Sequence, residues 1–160
     1  MFFPPSPYTY RELDNYFDTK SFLFDSDEHL WIATKKGIIR IMDSQKNLLG
    51  YLSPDGELAQ TETVFAEGGI YVMLKDQRRQ YGLAVRKTDC SGIVPRNRPY
   101  HYEVYHYMNN PSDPYSISDN KISCIDEDHN GSIWIGTYGG GLNLVEEKED
   151  GRYVLFMRRI

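Results

Sequence analysis

Several residue groups in this chain have types and spacings that could do chemistry. Three adjacent carboxylates, Asp126-Glu127-Asp128, could hold a divalent cation or act as an acid–base pair. A calcium loop, however, spreads its oxygens over alternate positions across about 12 residues. In an extended segment Asp126 and Asp128 share one face and Glu127 takes the other, so the three do not converge. They read as caps on turn N–H groups. The run Thr137–Asn143, TYGGGLN, carries three glycines but no following Lys. Phosphate loops place their glycines between a strand and a helix, and here strand-like patterns flank both sides. It reads as a turn. His101 and His106 fall on opposite faces of PYHYEVYHYMNN (99–110), which argues against a shared zinc ion. Cys90 and Cys124 form no CxxC, have no His nearby in sequence, and read as two buried thiols or one optional disulfide. No GxSxG occurs. The expectation is no catalytic residue, no metal and no cofactor.

Ligand contact has better candidates. Tyrosines stack on the C–H faces of sugars and keep a hydroxyl for hydrogen bonds. Tyr102 in the aromatic stretch and Tyr138 beside the triple glycine are such residues. Arg78 and Arg79 lie in what reads as an enlarged hairpin tip and could meet a carboxylate or sulfate.

Something must position these groups, and composition bounds what it is. The chain has 160 residues, enough for a real core, and its 40% hydrophobic content is too high for a disordered chain. Net charge is -5 and the basic doublets Lys35-Lys36, Arg78-Arg79 and Arg158-Arg159 are scattered, which argues against nucleic acid as a partner. No apolar run approaches the roughly 20 residues a bilayer-spanning helix needs. The N-terminus lacks the basic and apolar regions of a signal peptide. The segment 9–18 is the best helix candidate, and it is short.

Self-similarity gives the architecture. FDSDEHLWIATKKGIIRI (24–41) and IDEDHNGSIWIGTYGGGLNLV (125–145) share Trp-Ile-x-Thr, a turn, and an aliphatic run. Asp25 precedes Trp31 by six residues, and Asp128 precedes Trp134 by six. A degenerate third copy is read in FAEGGIYVMLKDQRRQYGLAV (65–85). Tyr71 takes the tryptophan place, Leu74 the threonine place, Phe65 the aspartate place, and Gly82-Leu83 matches Gly37-Ile38 and Gly141-Leu142. The aromatics are then spaced by 40 and 63 residues, with the excess assigned to proline-rich loops at KTDCSGIVPRNRPY and MNNPSDPYS. Ile133 and Ile135 alternate with Trp134 and Gly136, so both faces of the strand are apolar. With no convincing helix to cover them, the faces must pack sheet on sheet. Asp25, Trp31, Asp128, Gly131, Trp134 and Gly141 are therefore expected to be structural, as hairpin-building residues. The predicted fold is all-β: a partial β-propeller of about three four-stranded antiparallel blades (14–50, 51–107, 108–160) in an incomplete ring.

Residues 111–145 resemble the two-component regulator propeller repeat, through the Asp-Pro-Tyr-Ser lead-in, the Glu-Asp-x-x-Gly-x-Ile-Trp-Ile-Gly-Thr core and the Gly-Gly-Gly-Leu-Asn tail. GYLSPDGELA (50–59) is similar to an inter-blade linker of that family. The resemblance implies a non-enzymatic propeller from the periplasmic sensor region of a hybrid two-component histidine kinase, responsive to glycan breakdown products. It implies an oligosaccharide ligand and the rest of a parent sensor chain as partners. Three repeats are fewer than the 4–8 blades of closed propellers, so a fragment that self-associates, for example as a homodimer, is expected. Alternatives from other classes are a glycan-active enzyme on a propeller, sialidase-like or lyase-like, and a plain protein-interaction scaffold.

Overall fold

The computed structural model describes residues 18–77, 81–85, 89–147 and 153–156. The helix candidate at 9–18 falls almost wholly outside them. All regular elements among the described residues are strands. The first sheet runs β1 (Thr19–Phe24), β2 (Leu30–Thr34), β3 (Ile39–Met42), β4 (Leu48–Leu52) and β5 (Leu58–Ala59). The second runs β6 (Ile70–Lys75), β7 (Tyr81–Val85), β8 (Cys90–Pro95) and β9 (Tyr102–Tyr107). The third runs β10 (Ile122–Glu127), β11 (Ile133–Thr137), β12 (Gly141–Glu147) and β13 (Tyr153–Phe156). Every pairing is antiparallel and joins strands adjacent in sequence. These are meandering blades. The first has five strands, because the segment expected as a linker continues it through β4 and β5.

One tight turn is used repeatedly. Residue one accepts a hydrogen bond from residue four, and residue four takes a positive φ, as in a type I turn followed by a left-handed residue. Gly37, Lys46, Gly56 and Gly131 fill that fourth place after Thr34, Asp43, Ser53 and Asp128. Glu28 holds the corresponding place after Asp25, with φ 63°. Thr34 and Thr137 close the β2–β3 and β11–β12 turns: each hydroxyl donates to the carbonyl four residues on and accepts a turn N–H.

The middle sheet departs from the sequence reading. Tyr71 lies on β6, the first strand of its sheet, and not on the strand equivalent to the tryptophan strands. Register fixes the true correspondence. Trp31 pairs with Leu23 and Trp134 with Asp126, each partner lying two residues before the hairpin aspartate. In the middle sheet the same place is the Leu74–Gly82 pair, two residues before Asp76. All three first strands slip register at one spot: Thr19/Ser21, Ile70/Val72 and Ile122/Cys124. Asp76 is therefore the aspartate of the middle hairpin, and Gly82 stands in the tryptophan place. The aspartates recur at 51 and 52 residues, not at 40 and 63. Five residues separate β6 from β7, as they separate β1 from β2 and β10 from β11. KTDCSGIVPRNRPY is not simply loop, because it contains β8.

Two cores lie between the sheets, as two-sided apolar strands require. Leu23, Trp31, Ala33, Ile39, Ile41 and Leu52 of the first sheet meet Ile70, Met73 and Ile93 of the second, with Phe65 from the connecting loop. Trp31 is 0% exposed. Burying its roughly 150–250 Å² at about 25 cal/mol per Å² contributes about 4–6 kcal/mol. The second core joins Cys90 to Ile117, Ile122, Ile125, Ile133 and Ile135, with Val72, Leu74, Tyr107 and Val145 packed against it. The first strands lie side by side, β1 on β6 and β6 on β10. Ser21 Oγ accepts the Met73 N–H at 3.1 Å across the first junction. The Glu127 carboxylate accepts the Gln77 N–H at 3.0 Å across the second.

The loop into the third sheet is tied down by Asn143, which is fully buried. Its Nδ2 donates to Ser118 Oγ (2.9 Å) and to the Ile135 carbonyl (3.1 Å), and its Oδ1 accepts the Ser118 N–H (3.0 Å). A buried amide without those partners would be costly. The Ser-Ile-Ser lead-in and the Gly-Leu-Asn tail are thus two halves of one contact.

Candidate functional site

The hairpin aspartates do structural work. Asp25 is buried; its Oδ1 accepts the N–H groups of Asp27 (2.9 Å) and His29 (2.8 Å). Its Oδ2 accepts Trp31 Nε1–H at 3.1 Å and lies 2.9 Å from His29 Nδ1. Asp128 repeats the pattern: Asn130 N–H (2.9 Å) and Ser132 N–H (3.0 Å) on Oδ1, Trp134 Nε1–H (3.0 Å) on Oδ2. The indole N–H, followed by the two backbone N–H groups, holds the Asp128 carboxyl below the usual carboxylate range. One carboxylate therefore closes the turn and fixes the tryptophan. Gly131 and Gly141 take φ of 81° and 82°, which glycine adopts at no steric cost. Asp25, Asp27 and His29 do bring three potential metal-ligand atoms within 4.8 Å of one another. Both Asp25 oxygens are already engaged by N–H donors, so the group reads as a hairpin.

A cleft of about 540 Å³ opens where the Asp25 hairpin meets the β8–β9 turn of the next sheet. Its walls are Asp25, Asp27 and His29 on one side, and Arg96, Arg98 and Tyr100 on the other. A second hollow of about 700 Å³ adjoins it over Asp55, Glu57 and Glu103. Tyr102 lines both. The turn is pinned from three sides. Tyr100 packs on His29 with ring centres 5.6 Å apart. His101 Nδ1 lies 2.7 Å from Glu57 Oε1, and Arg96 is ion-paired with Glu103. Tyr102 packs edge-on against Trp31 at 5.1 Å, so its ring is wedged between core and cleft. Tyr100 adopts φ 60°, a left-handed conformation that costs a non-glycine residue about 1–2 kcal/mol. Strain of this kind persists only where the surroundings over-determine it, and it concentrates at ligand-contacting loops. Arg98 is exposed. Aromatic faces beside guanidinium, imidazole and carboxylate groups can bind a polar, hydroxyl-rich molecule and orient an anionic substituent.

Of the expected ligand residues, the two that are described, Tyr102 and Tyr138, lie apart. Tyr102 lines the cleft. Tyr138, 67% exposed on the β11–β12 turn of the third sheet, lines neither hollow. Arg78 and Arg79 lie outside the described residues. Sequence reading passed over Arg96, Arg98, Tyr100 and His101 as a lining set. The signal was RNRPYHY (96–102), where basic and aromatic residues crowd a turn between two strands.

Asp89, Ser91 and His106 also meet. His106 Nδ1 lies 2.5 Å from Asp89 Oδ2 and 3.2 Å from Ser91 Oγ. A catalytic serine must face the nitrogen opposite the one held by the carboxylate. Here both oxygens sit on Nδ1, so the set is a polar clasp between β8 and β9. The two cysteines differ from the expected pair of buried thiols: Cys90 is buried, Cys124 is exposed, and both are free. Burial pushes the Cys90 thiol up to about 12.

No curated protein matches the chain. Among solved structures, virginiamycin B lyase from Staphylococcus aureus aligns with a TM-score of 0.58 at 14% identity, over 92% of this chain and 44% of that one. The extracellular domain of the hybrid two component system BT3049 from B. thetaiotaomicron aligns at 0.57 and 18% identity, over 87% of this chain and 21% of that one. The Cps50 (Swd1) beta-propeller domain of Myceliophteria thermophila aligns at 0.58 and 14%, over 88% and 44%. The chain thus spans less than half the length of each. At these identities the likeness concerns the fold, which is a β-propeller in part, with the ring not closed. Residues 116–139 match the two component regulator propeller family, and they run from the Ser118 clasp through the Asp128 hairpin to the glycine turn of the third sheet.

Proposed function

We propose that this chain is the ligand-recognising part of a sensor propeller in a hybrid two-component signalling protein, working in the periplasm and responding to products of glycan breakdown. The observation that carries the proposal is the two component regulator propeller match at 116–139, within the last of three consecutively stacked sheets of the same register. The extracellular sensor domain among the structural neighbours supports the location. The cleft between the Asp25 hairpin and the β8–β9 turn supports recognition, with Tyr102 and Tyr100 as sugar-facing rings and Arg98 as the anchor for an acidic substituent. In this reading the chain is not an enzyme: the propeller is a rigid frame, and binding alters contacts that a kinase elsewhere in the parent protein reads.

A panel of neutral and acidic oligosaccharides, screened by thermal shift and then by calorimetry, tests this. A ligand at 100 times its Kd stabilises its target by about 2.7 kcal/mol. One class should raise the melting temperature, and Arg98→Ala should abolish the rise while leaving the unliganded midpoint unchanged. No shift with any glycan would end the proposal. Turnover of a chromogenic glycoside would instead favour the glycan-active enzyme.

A further inference from the structure

The cleft between the Asp25 hairpin and the β8–β9 turn is lined by six acidic, basic or imidazole side chains, and four of them are matched within the protein. Asp25 serves His29 as well as the turn N–H groups. Arg96 is ion-paired with Glu103, and His101 Nδ1 meets Glu57. Asp27 and Arg98 remain. The Asp27 carboxylate accepts no hydrogen bond and forms no ion pair among the described residues; only its backbone N–H is engaged. The Arg98 guanidinium has no partner among them either. Both side chains are exposed, and they stand on opposite walls without pairing with each other.

An aromatic platform lies between them. Oxygens of Asp25 and Asp27 and a ring nitrogen of His29 fall within 4.8 Å of one another, so Asp27 sits beside the imidazole. Tyr100 packs on that imidazole from the facing turn, with ring centres 5.6 Å apart, and Arg98 precedes Tyr100 by two residues. The order across the cleft is therefore carboxylate, two half-buried rings, guanidinium. The His101 N–H donates to the Arg98 carbonyl at 3.3 Å, which makes Pro99 and Tyr100 the central pair of a turn. With φ 60°, Tyr100 fills the place a type II turn gives to glycine or asparagine. A glycine there would relieve the strain and leave no ring in the cleft. We infer that the cleft takes a zwitterionic sugar unit, with a free ammonium group on Asp27, an acidic group on Arg98 and the sugar ring against Tyr100. This ligand class rests on the reading of the cleft as a glycan site and narrows it. A purely acidic sugar would meet two carboxylates at the Asp27 end, and like charges brought together are costly. A neutral sugar would leave both free charges unmatched.

A hydrogen bond between charged partners changes affinity by about tenfold or more, so each end can be read separately. Calorimetry at about pH 6.5, where such an amine is protonated, compares D-glucosamine 6-sulfate, N-acetylglucosamine 6-sulfate, glucosamine and glucose 6-sulfate. Glucosamine 6-sulfate should bind the wild-type chain at least about tenfold more tightly than each of the others. Asp27→Asn should erase the preference for the free amine over its N-acetyl form and keep the preference for sulfate; Arg98→Ala should do the converse. Both side chains are exposed, so neither variant should shift the unfolding midpoint. Asp55→Asn, which alters a carboxylate of the adjoining hollow, should keep both preferences. Equal affinity for the amine and its N-acetyl form would overturn the inference and leave a sulfated-sugar site standing. An amine preference that survives Asp27→Asn, or is lost in Asp55→Asn, would also overturn it. Binding of none of the four sugars would overturn it too, and the oligosaccharide panel then decides separately whether the cleft is a glycan site.

Discussion

Replacing Asp25 separates a hairpin-building carboxylate from a reactive one. Its oxygens serve the N–H groups of Asp27, His29 and the Trp31 indole, besides His29 Nδ1, and the side chain is 7% exposed. In Asp25→Ala the buried Trp31 Nε1–H and the His29 N–H lose their acceptor, and water has little access to replace it. A buried donor left unsatisfied costs about 1–3 kcal/mol. Two such donors give about 2–6 kcal/mol, a large part of the roughly 5–15 kcal/mol that holds a domain folded. Asp25→Asn keeps one acceptor oxygen but turns an amide N–H toward the indole, so about half that loss is expected. Asp128, with the same partners in a half-exposed setting, should lose less on the same change, because solvent can reach the freed donors. Urea unfolding followed by tryptophan fluorescence and far-UV circular dichroism measures all three. A loss below about 1 kcal/mol for Asp25→Ala, or a larger loss at Asp128 than at Asp25, would refute the reasoning.

Further outcomes follow from the same geometry. Gly37 has φ 79°, and an added Cβ would lie 1.7 Å from the Ala66 carbonyl oxygen, whereas Gly141 has φ 82° and open space around it. Gly37→Ala should therefore cost several times the roughly 1–2 kcal/mol of conformational strain expected for Gly141→Ala, read by chemical denaturation. The Asp128 carboxyl is held below its ordinary range, as are Asp43 and Asp18 by the Asn47 amide and the Lys35 ammonium. Their contribution is complete above an unfolded value of about 4 and is lost as pH falls through the lower folded values; Asp128→Asn should flatten the acid limb of a stability–pH curve. The Cys90 thiol, buried and raised to about 12, should resist a maleimide at pH 8 until denaturant is added, while the exposed Cys124 should react without it.

The outer sheets were legible because tryptophan marks them. Trp31 and Trp134 stand six residues after an aspartate, and the alternation of Ile133, Trp134 and Ile135 gave both strand and two-sided burial. The middle sheet lacks that mark. Gly82 holds the tryptophan place, Tyr71 is an aromatic that lies one strand early, and Asp76 ends an apolar strand with no tryptophan six residues on. Only hydrogen-bond register, which no local pattern encodes, shows that 51 and 52 are the true spacings. The cleft was illegible for a related reason. It joins residues 25–29, 54–57 and 94–104, brought together by sheet stacking, and the packing of Tyr100 on His29 exists only across that junction. Tyr102 was found from its type; its neighbours were not.

Cross-strand nuclear Overhauser contacts in the middle sheet test most directly whether three sheets share one register. The account predicts contacts of Leu74 with Gly82 and Met73 with Leu83, matching those of Leu23 with Trp31 and Asp126 with Trp134, and no second strand beside Tyr71 on the side away from β7. Contacts that set the Tyr71 strand between two partners, or a register one residue off at Leu74, would contradict it.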